Sequence, residues 1–315
     1  MKKYQVKKYT TDYYSQWNAF VSQAKNATFL FHRDFMEYHK DRFEDFSLLV
    51  LDEKENLKAI LPANKVEDIL YSHQGLTYGG LILPKYVKFA EVRALFLSIF
   101  DYLKTKNLKK VIYKPINPYY QKLPSEEYLF LLKEMDAVLV KRELNLCIPF
   151  HKEFKVSKSK LKHYRKNEKL DFKIHSGNDF SSFWNKVLIP RLEEKHNAKP
   201  VHSLAEITYL SKKFPDEIIQ YDIYFEDEIV AGITLFKTEH GIKSQYGATT
   251  ILGEKIRALD YLYFHLIELY KKDYEFFDMG TCTEDNEKGY NSGLLTQKEE
   301  LGCTLYTQDT YCISL

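Results

Sequence analysis

The sequence predicts two tandem copies of one α+β domain, each with a mixed, largely antiparallel sheet flanked by helices. The chain has 315 residues, a length that suits two domains better than one. Hairpin strands followed by a helix and a further strand are predicted once in each half. The halves also align at a constant spacing of 172 residues. Residues related by this spacing are Ala59 and Ala231, Ser72 and Ser244, and Gly75 and Gly247. We therefore place the domains at residues 1–150 and 151–315.

The first half begins with apolar residues at helical spacing, Trp17, Phe20 and Val21, which predict a helix over residues 13–24. Alternating and β-branched residues then predict a hairpin with strands at 46–51 and 57–63. A helix over 87–103 and a strand over 109–114 complete this half. The first predicted domain therefore has the order helix, hairpin, helix, strand.

The second half repeats this order. Three strand-like runs joined by tight turns lie between residues 218 and 252, followed by a helix over 257–270 and a strand over 275–279. A short helix over 294–301 is closed by Gly302. Ser203 and Glu206 stand three residues apart before an apolar run, which predicts a capping box at a helix start.

The composition excludes several classes of protein. The net charge is +2, from 46 basic and 44 acidic side chains, so no global attraction to nucleic acid or anionic lipid is expected. None of the four cysteines forms a C-x-x-C pair, which argues against a zinc cluster. We expect no membrane span, because the apolar runs are too short, and a cytoplasmic location, because no apolar segment follows the basic N-terminus.

A dense basic run separates the two halves. Its cations are Lys158, Lys160, Lys162, Arg165, Lys166 and Lys169. Leu161 and Tyr164 would give a helix here one apolar face. The run is either a solvated helix between domains or a cationic strip for phosphates, which would belong to a cofactor or to an RNA acceptor stem.

Several segments resemble the GNAT acyltransferases, and among these the FemAB-like group with tandem GNAT domains. They are LYSHQGLTYGGLIL in the first half and RKNEKLDFKI, HNAKPVHS, QYGATT, FDMGTCTEDN and YNSGLLTQKEELG in the second. The resemblance is strongest over residues 155–312. It implies two GNAT-like domains and an enzyme that moves an acyl or aminoacyl group onto an amine.

The resemblance also implies the partners. The donor would be an acyl-CoA such as acetyl-CoA, as in most GNAT relatives, or an aminoacyl-tRNA, as in the peptidoglycan branch. The acceptor would be a small-molecule amine, a modified sugar or a cell-surface polymer precursor, and no metal is implied. A third hypothesis is a duplicated module that binds a ligand without catalysis.

GNAT enzymes that use CoA usually carry a Q/R-x-x-G-x-G/A loop before a helix, where backbone N–H groups hold the pyrophosphate. The matching segment here is ILGEKIRALD, which places Gly253, Lys255 and Arg257 as cofactor-binding residues. This segment lacks the second glycine, a departure that favours the non-catalytic hypothesis. The corresponding segment of the first half, LPKYVKFAEV, has no glycine, so the second half is the predicted donor site.

Three residues are predicted to be catalytic. His202 lies in a loop just before the capping box, Asp278 ends a predicted strand, and Glu284 follows in a polar loop. Acyl transfer to an amine needs a base that can deprotonate the amine, and these groups can supply it. The alternatives are a loop used for capping and ordinary turn chemistry. Cys282 is predicted to be a small buried residue rather than a nucleophile.

Further polar residues are predicted to bind substrate because they stand beside glycines or at strand and loop ends, where a ligand can approach the backbone. They are His73, Gln74, Tyr78, Lys199, Gln245, Tyr246 and Lys298. The alternatives are pairing within the sheet and, for Lys298, an ordinary helix charge. We expect the second half to hold the donor and His73, Gln74 and Tyr78 to lie on the acceptor side.

Overall fold

A computed structural model describes residues 4–315, apart from the side chain of His196. The chain divides into two compact units. The first ends at Glu143 and takes back Thr307–Leu315, whereas the second consists of Leu144–Tyr306. The predicted division stood after residue 150, and the C-terminal return to the first unit was not predicted.

The first unit contains four helices and two sheets in its described part. Its elements are β1 (Gln5–Lys8), α1 (Tyr14–Gln23), α2 (Arg33–Met36), β2 (Glu44–Asp45), β3 (Leu48–Leu51), β4 (Leu57–Leu61), β5 (Asn64–Val66), β6 (Ile69–Tyr71), α3 (Phe89–Lys104), β7 (Lys110–Tyr113), α4 (Glu127–Glu134) and the start of β8 (Val138–Pro149). One sheet has the order β1-β3-β4 and is antiparallel. In the other, β6 and β7 pair in parallel and β2 and β5 extend it in antiparallel fashion.

The core of the first unit forms on α3 because that helix carries apolar residues every three or four positions. Val92, Leu95, Phe96, Ile99 and Leu103 are all buried and pack with the strand residues of the same cluster. The apolar face of α3 therefore covers the strands that contribute to this cluster.

The second unit is built from the remaining elements. They are α5 (Lys158–Asn167), β9 (Lys173–Gly177), α6 (Ser181–Phe183), α7 (Ile189–His196), α8 (Leu204–Lys213), β10 (Ile218–Phe225), β11 (Glu228–Lys237), β12 (Gly241–Thr249), α9 (Ile251–Lys255), α10 (Ala258–Tyr270), β13 (Phe276–Thr281), α11 (Ser292–Glu300) and β14 (Thr304–Ser314). A π-helical segment, Trp184–Leu188, joins α6 to α7. Strand β8 ends in this unit, and β14 begins here and ends in the first unit, where it pairs with β7.

The sheet of the second unit has the order β8-β13-β12-β11-β10-β9. Its neighbours are antiparallel except for β12 and β13, which run parallel. Helix α10 packs against it through Ala258, Leu262 and Leu266, which are fully buried. The capping box predicted at Ser203 and Glu206 is present at the start of α8, with both reciprocal hydrogen bonds.

The basic run forms α5, but its cations do not share one environment. Lys160, Tyr164 and Asn167 face α10: Tyr164 stacks on Tyr261, and Asn167 Nδ2 donates to the carbonyl of Ile256 at 2.7 Å. Lys160 is 7% exposed. The alternative of a solvated helix is therefore wrong at Lys160, because helical spacing places this residue on the packed face.

Candidate functional site

The second unit contains a gap between two parallel strands. Strands β12 and β13 pair over Gly241–Lys243 and Phe276–Asp278, although β12 continues to Thr249 and β13 to Thr281. The register between β11 and β12 shifts at Gln245, which is a β-bulge residue. The bulge bends β12 at the point where it leaves β13, so the two strands diverge toward their C-terminal ends.

A pocket of about 790 Å³ lies in the second unit at the end of β12. Its walls come from the C-terminal end of β12, from α7, from α9 and the start of α10, and from the first turns of α11. Lining residues include Arg191, Gly247, Gly253, Arg257, Asp260 and Gln297. This volume falls within the range of small-molecule and cofactor sites.

The pocket wall carries fixed charges. Lys160 Nζ contacts Asp260 Oδ2 at 2.6 Å, and Gln297 Nε2 donates to Asp260 Oδ1 at 3.0 Å. Arg191 forms ion pairs with Glu194 and with Glu254. The wall is therefore polar, and these side chains have partners within the protein.

The three predicted cofactor-binding residues have different positions. Gly253 is buried on the pocket wall, where its N–H donates to Thr250 Oγ1 at 3.0 Å and a Cβ would overlap the carbonyl of Val230. Arg257 also lines the pocket, is exposed, and precedes α10 in the left-handed conformation with φ of 57°. Lys255 is exposed and is not among the lining residues.

The structure brings His202 and Tyr246 together. His202 is 4% exposed, its Nδ1 lies 2.6 Å from Tyr246 Oη, and its backbone N–H donates to the same oxygen at 3.1 Å. Trp184 Nε1 donates to the carbonyl of His202 at 3.1 Å. His202, predicted to lie in a loop, is thus held in the interior against Tyr246, which precedes the pocket-lining Gly247 on β12.

Asp278 lies on the same sheet face as this pair. His202 contacts the ring of Phe236, which pairs in register with Lys243, and Lys243 pairs in register with Asp278. Asp278 is 1% exposed and its Oδ2 lies 3.3 Å from Lys243 Nζ. Gln245 lies between Lys243 and Tyr246 on β12, and its buried Oε1 has no hydrogen-bond partner among the described residues.

The other predicted residues of this unit are dispersed. Glu284 is exposed in the loop after β13 and accepts from Asn286 Nδ2 at 2.8 Å. Lys199 is exposed in the loop after α7. Lys298 is buried on α11 and donates to carbonyls of β13. Cys282 is buried as predicted, and burial raises the pKa of its thiol.

His73, Gln74 and Tyr78 belong to the first unit, where each has internal partners. His73 Nδ1 accepts the N–H of Gly75 at 3.1 Å, and burial lowers the pKa of this histidine to about 3. Gln74 Oε1 accepts from Asn64 Nδ2 at 2.7 Å. Tyr78 is 2% exposed and its Oη lies 3.0 Å from Thr28 Oγ1.

Sequence reasoning missed Arg191, Asp260 and Gln297 as pocket residues. They stand on three helices that are far apart in the sequence. In the sequence, each of them looks like an ordinary polar residue on the surface of its helix. One local signal was available: Asp260 lies in the first turn of α10, three residues after Arg257.

In the described part of the chain, no three His, Cys, Asp or Glu side chains are grouped so that they could hold a metal ion. The helices of residues 4–315 are all too short or too polar to cross a bilayer.

No family model and no curated protein sequence matches this chain. Solved structures do match over nearly its whole length. FemX superposes with a TM-score of 0.67 at 10% identity, covering 99% of this chain and 97% of FemX. A tandem GNAT protein from the clavulanic acid biosynthesis pathway gives a TM-score of 0.54 at 8% identity, over 99% of this chain and 98% of that one.

The chain has the tandem GNAT fold of the FemAB-like type. L-PGS from Bacillus licheniformis is also similar, with a TM-score of 0.62 at 15% identity over 95% of this chain and 91% of that one. The predicted fold class, with two GNAT-like domains, is therefore confirmed. At these identities the similarity establishes the tandem GNAT fold, and the chemistry must be argued from the pocket.

Proposed function

We propose that this protein is an N-acyltransferase that moves an acyl group from an acyl-CoA thioester to an amine of a small molecule or a cell-surface polymer precursor. The observation that carries the proposal is the divergence of β12 from β13 beside the pocket. Backbone groups of β12 beyond Lys243 no longer pair with β13, so they can hydrogen-bond to an extended donor and to its carbonyl oxygen.

The charges around the pocket suit a phosphate-bearing donor. Arg257, Lys195 and Arg191 line the wall, and Arg257 is exposed. Carboxylates line it too, and Glu254 pairs with Arg191 and Lys195, so the proposal depends most on Arg257. An acyl-CoA would place its phosphates against these cations and its thioester toward the gap. The amine would then attack the thioester carbonyl, forming the amide bond as the C–S bond breaks and the CoA thiolate takes a proton.

Two of the three catalytic residues predicted from the sequence, His202 and Glu284, have a place in this scheme, together with Tyr246, which was predicted to bind substrate. Tyr246 and His202 form a hydrogen-bonded pair next to Gly247, and we propose that they pass the proton between amine and leaving thiolate. Glu284 stands in the exposed loop after β13 and would act on the acceptor amine. Positioning of the two substrates supplies much of the rate in such a reaction, so a fixed triad is not required.

Titration of the purified protein with acetyl-CoA, followed by thermal shift and calorimetry, tests this function. We expect stabilisation by acetyl-CoA, and a Kd raised by about tenfold (about 1.4 kcal/mol) when Arg257 and Lys195 are both replaced by alanine. Lys272→Ala, which removes an exposed lysine after the far end of α10, is the matched control and should bind as the native protein does. Absence of stabilisation by any CoA ester would refute the proposal.

A second donor, aminoacyl-tRNA, is favoured by one observation. Lys158, Lys162, Arg165 and Lys166 are exposed on α5. Desolvation lowers the pKa of His163, and the charges of Arg257, Lys166 and Lys162 lower it further. This local positive potential can hold an RNA backbone. Charged tRNA that stabilises the protein, with a Kd that weakens steeply with salt, would select this donor over acyl-CoA.

A further inference from the structure

At its C-terminal end, β13 pairs with β8 but no longer with β12, so its backbone groups there need other hydrogen-bond partners. After Asp278 it no longer pairs with β12, although Gly280 and Thr281 still stand opposite Leu146 and Asn145 of β8. The register to β8 shifts between Asp278 and Gly280, and Gly280 has φ of +73°. Buried backbone groups in such a segment must find hydrogen bonds elsewhere or weaken the fold.

Asp278 supplies one of these hydrogen bonds. Its Oδ1 accepts the backbone N–H of Gly280 at 2.7 Å, and its Oδ2 lies 3.3 Å from Lys243 Nζ. The side chain is 1% exposed. The carboxylate therefore links β12 to β13 at the last paired position and fixes the bend that follows.

Lys298 supplies the hydrogen bonds on the opposite side. Its Nζ donates to the carbonyl of Gly280 at 3.1 Å and to that of Thr281 at 2.9 Å. A further hydrogen bond joins it to the thiol of Cys282, and burial lowers the pKa of the ammonium. An ammonium group has three N–H donors, so these three acceptors use all of them.

We propose that Asp278 and Lys298 are positioning residues that hold the end of β13 away from β12 and so keep the gap open before any ligand binds. The N–H of Gly280 is held by Asp278 and its carbonyl by Lys298, so β13 is stabilised in a path that does not need β12. The inference rests on the proposed function for the identity of the ligand that enters the gap. It assigns both residues a different role from the catalysis and substrate binding predicted from sequence.

Hydrogen–deuterium exchange of the ligand-free protein tests the inference without reference to any donor. In Lys298→Met, the amides of residues 279–283 should exchange faster by about tenfold or more. The control is Lys25→Met in the first unit, which removes another buried lysine that donates to a carbonyl, that of Pro124 at 3.3 Å. With each variant measured at the same interval below its Tm, the control should leave exchange in 279–283 unchanged.

Lys298→Arg should restore native exchange, because a guanidinium can donate to both carbonyls. Native exchange in Lys298→Met, or equal acceleration in both lysine variants, would overturn the inference. If Lys298→Met does not fold, Asp278→Asn and Asp278→Ala replace it. Asparagine keeps an oxygen that can accept the Gly280 N–H, so the alanine variant should accelerate exchange in this segment and the asparagine variant should not.

Acetyl-CoA binding separates this inference from the proposed function. If the native protein binds acetyl-CoA, Lys298→Met should raise the Kd by about tenfold while Lys298→Arg stays close to native. If the native protein binds no CoA ester, the proposed function fails and the exchange measurement still decides whether the two side chains hold β13.

Discussion

The two units treat corresponding positions in opposite ways. Gly75 and Gly247 are related by the 172-residue spacing. In the first unit, a Cβ at Gly75 would overlap the ring of His39, and the carbonyl of Gly75 contacts His39 Nε2 at 3.3 Å. In the second unit, a Cβ at Gly247 would likewise overlap a side chain, that of Tyr263, but Gly247 is exposed and lines the pocket.

The polar side chains near these glycines also differ between the two units in their hydrogen bonding. His73 and Gln74 of the first unit form hydrogen bonds with Gly75 and Asn64. In the second unit, the buried Oε1 of Gln245 has no hydrogen-bond partner within the part of the chain that the structure describes. The comparison teaches that a repeated fold does not repeat a site. Internal side chains fill the turn of the first unit, and the second keeps space at the end of β12.

The largest expected effect comes from filling that space. Gly293→Trp would place an indole on the pocket wall, where a Cβ meets Asn291 Oδ1 at 3.5 Å and nothing closer. The Kd for acetyl-CoA should rise by about 100-fold, or about 2.7 kcal/mol, with little change in Tm. Calorimetry and thermal unfolding measure the two quantities.

Gly177→Trp is the control for this change, because a Cβ at Gly177 has nothing within 4 Å and the residue does not line the pocket. It should bind acetyl-CoA as the native protein does. If the affinity of Gly293→Trp for acetyl-CoA is unchanged, the donor binds elsewhere. The space at the end of β12 would then not distinguish the function of the second unit from that of the first.

The pH dependence of stability should also distinguish the units. Burial lowers the pKa of His73 from 6.5 to about 3, so the unfolded chain binds a proton first as the pH falls. The contribution of this residue to stability is present above pH 6.5 and is lost toward pH 3. The loss should be about 1.4 kcal/mol per pH unit. Urea unfolding of the native protein and of His73→Gln from pH 7 to pH 4 measures it, and parallel curves would contradict it.

Asp222 of the second unit should act with the opposite sign. Burial raises its pKa from 3.8 to about 6, so the folded protein keeps a proton that the unfolded chain has released. Its contribution is present below pH 3.8 and is lost as the pH rises toward 6. Relative to Asp222→Asn, the native protein should therefore lose stability between these values, by about 1.4 kcal/mol per pH unit. Native stability that stays constant or rises relative to Asp222→Asn over this range would show that Asp222 is charged in the fold.

The smallest effect should come from Tyr246→Phe. The change removes the hydrogen bonds to His202 and should cost about 1 kcal/mol of unfolding free energy, together with a loss of acyl-transfer turnover. Tyr221→Phe removes a comparable hydrogen bond, from Tyr221 to Tyr270 at 2.6 Å, and should reduce stability alone. Equal turnover in both variants would show that the His202–Tyr246 pair has only a structural role.

Local patterns predicted most of the secondary structure. The helices at 13–24, 87–103 and 257–270 appear as α1, α3 and α10, because each has an apolar face of helical period. Strands β8 and β14 were not predicted. Each passes from one unit to the other, and the first residues of β8 are exposed, so neither shows the single alternating pattern of a half-buried strand.

The candidate site was predicted in part. Gly253 and Arg257 line the pocket as the sequence suggested, and His202 and Tyr246 lie together next to it. Lys255 lies outside the lining residues. Helical spacing puts Lys160 on the same face of α5 as Tyr164, but only the tertiary structure shows that this face packs against α10 and buries the lysine.

By itself, the sequence determined the elements, their order in two copies and the capping box of α8, because these depend on residues within a few positions of one another. The tertiary structure decided where the gap lies, which lysines are buried and why Asp278 and Lys298 meet at Gly280. Those features arise from contacts between β12, β13 and α11, whose residues are distant in the chain, and burial there determines which polar groups can bind a ligand.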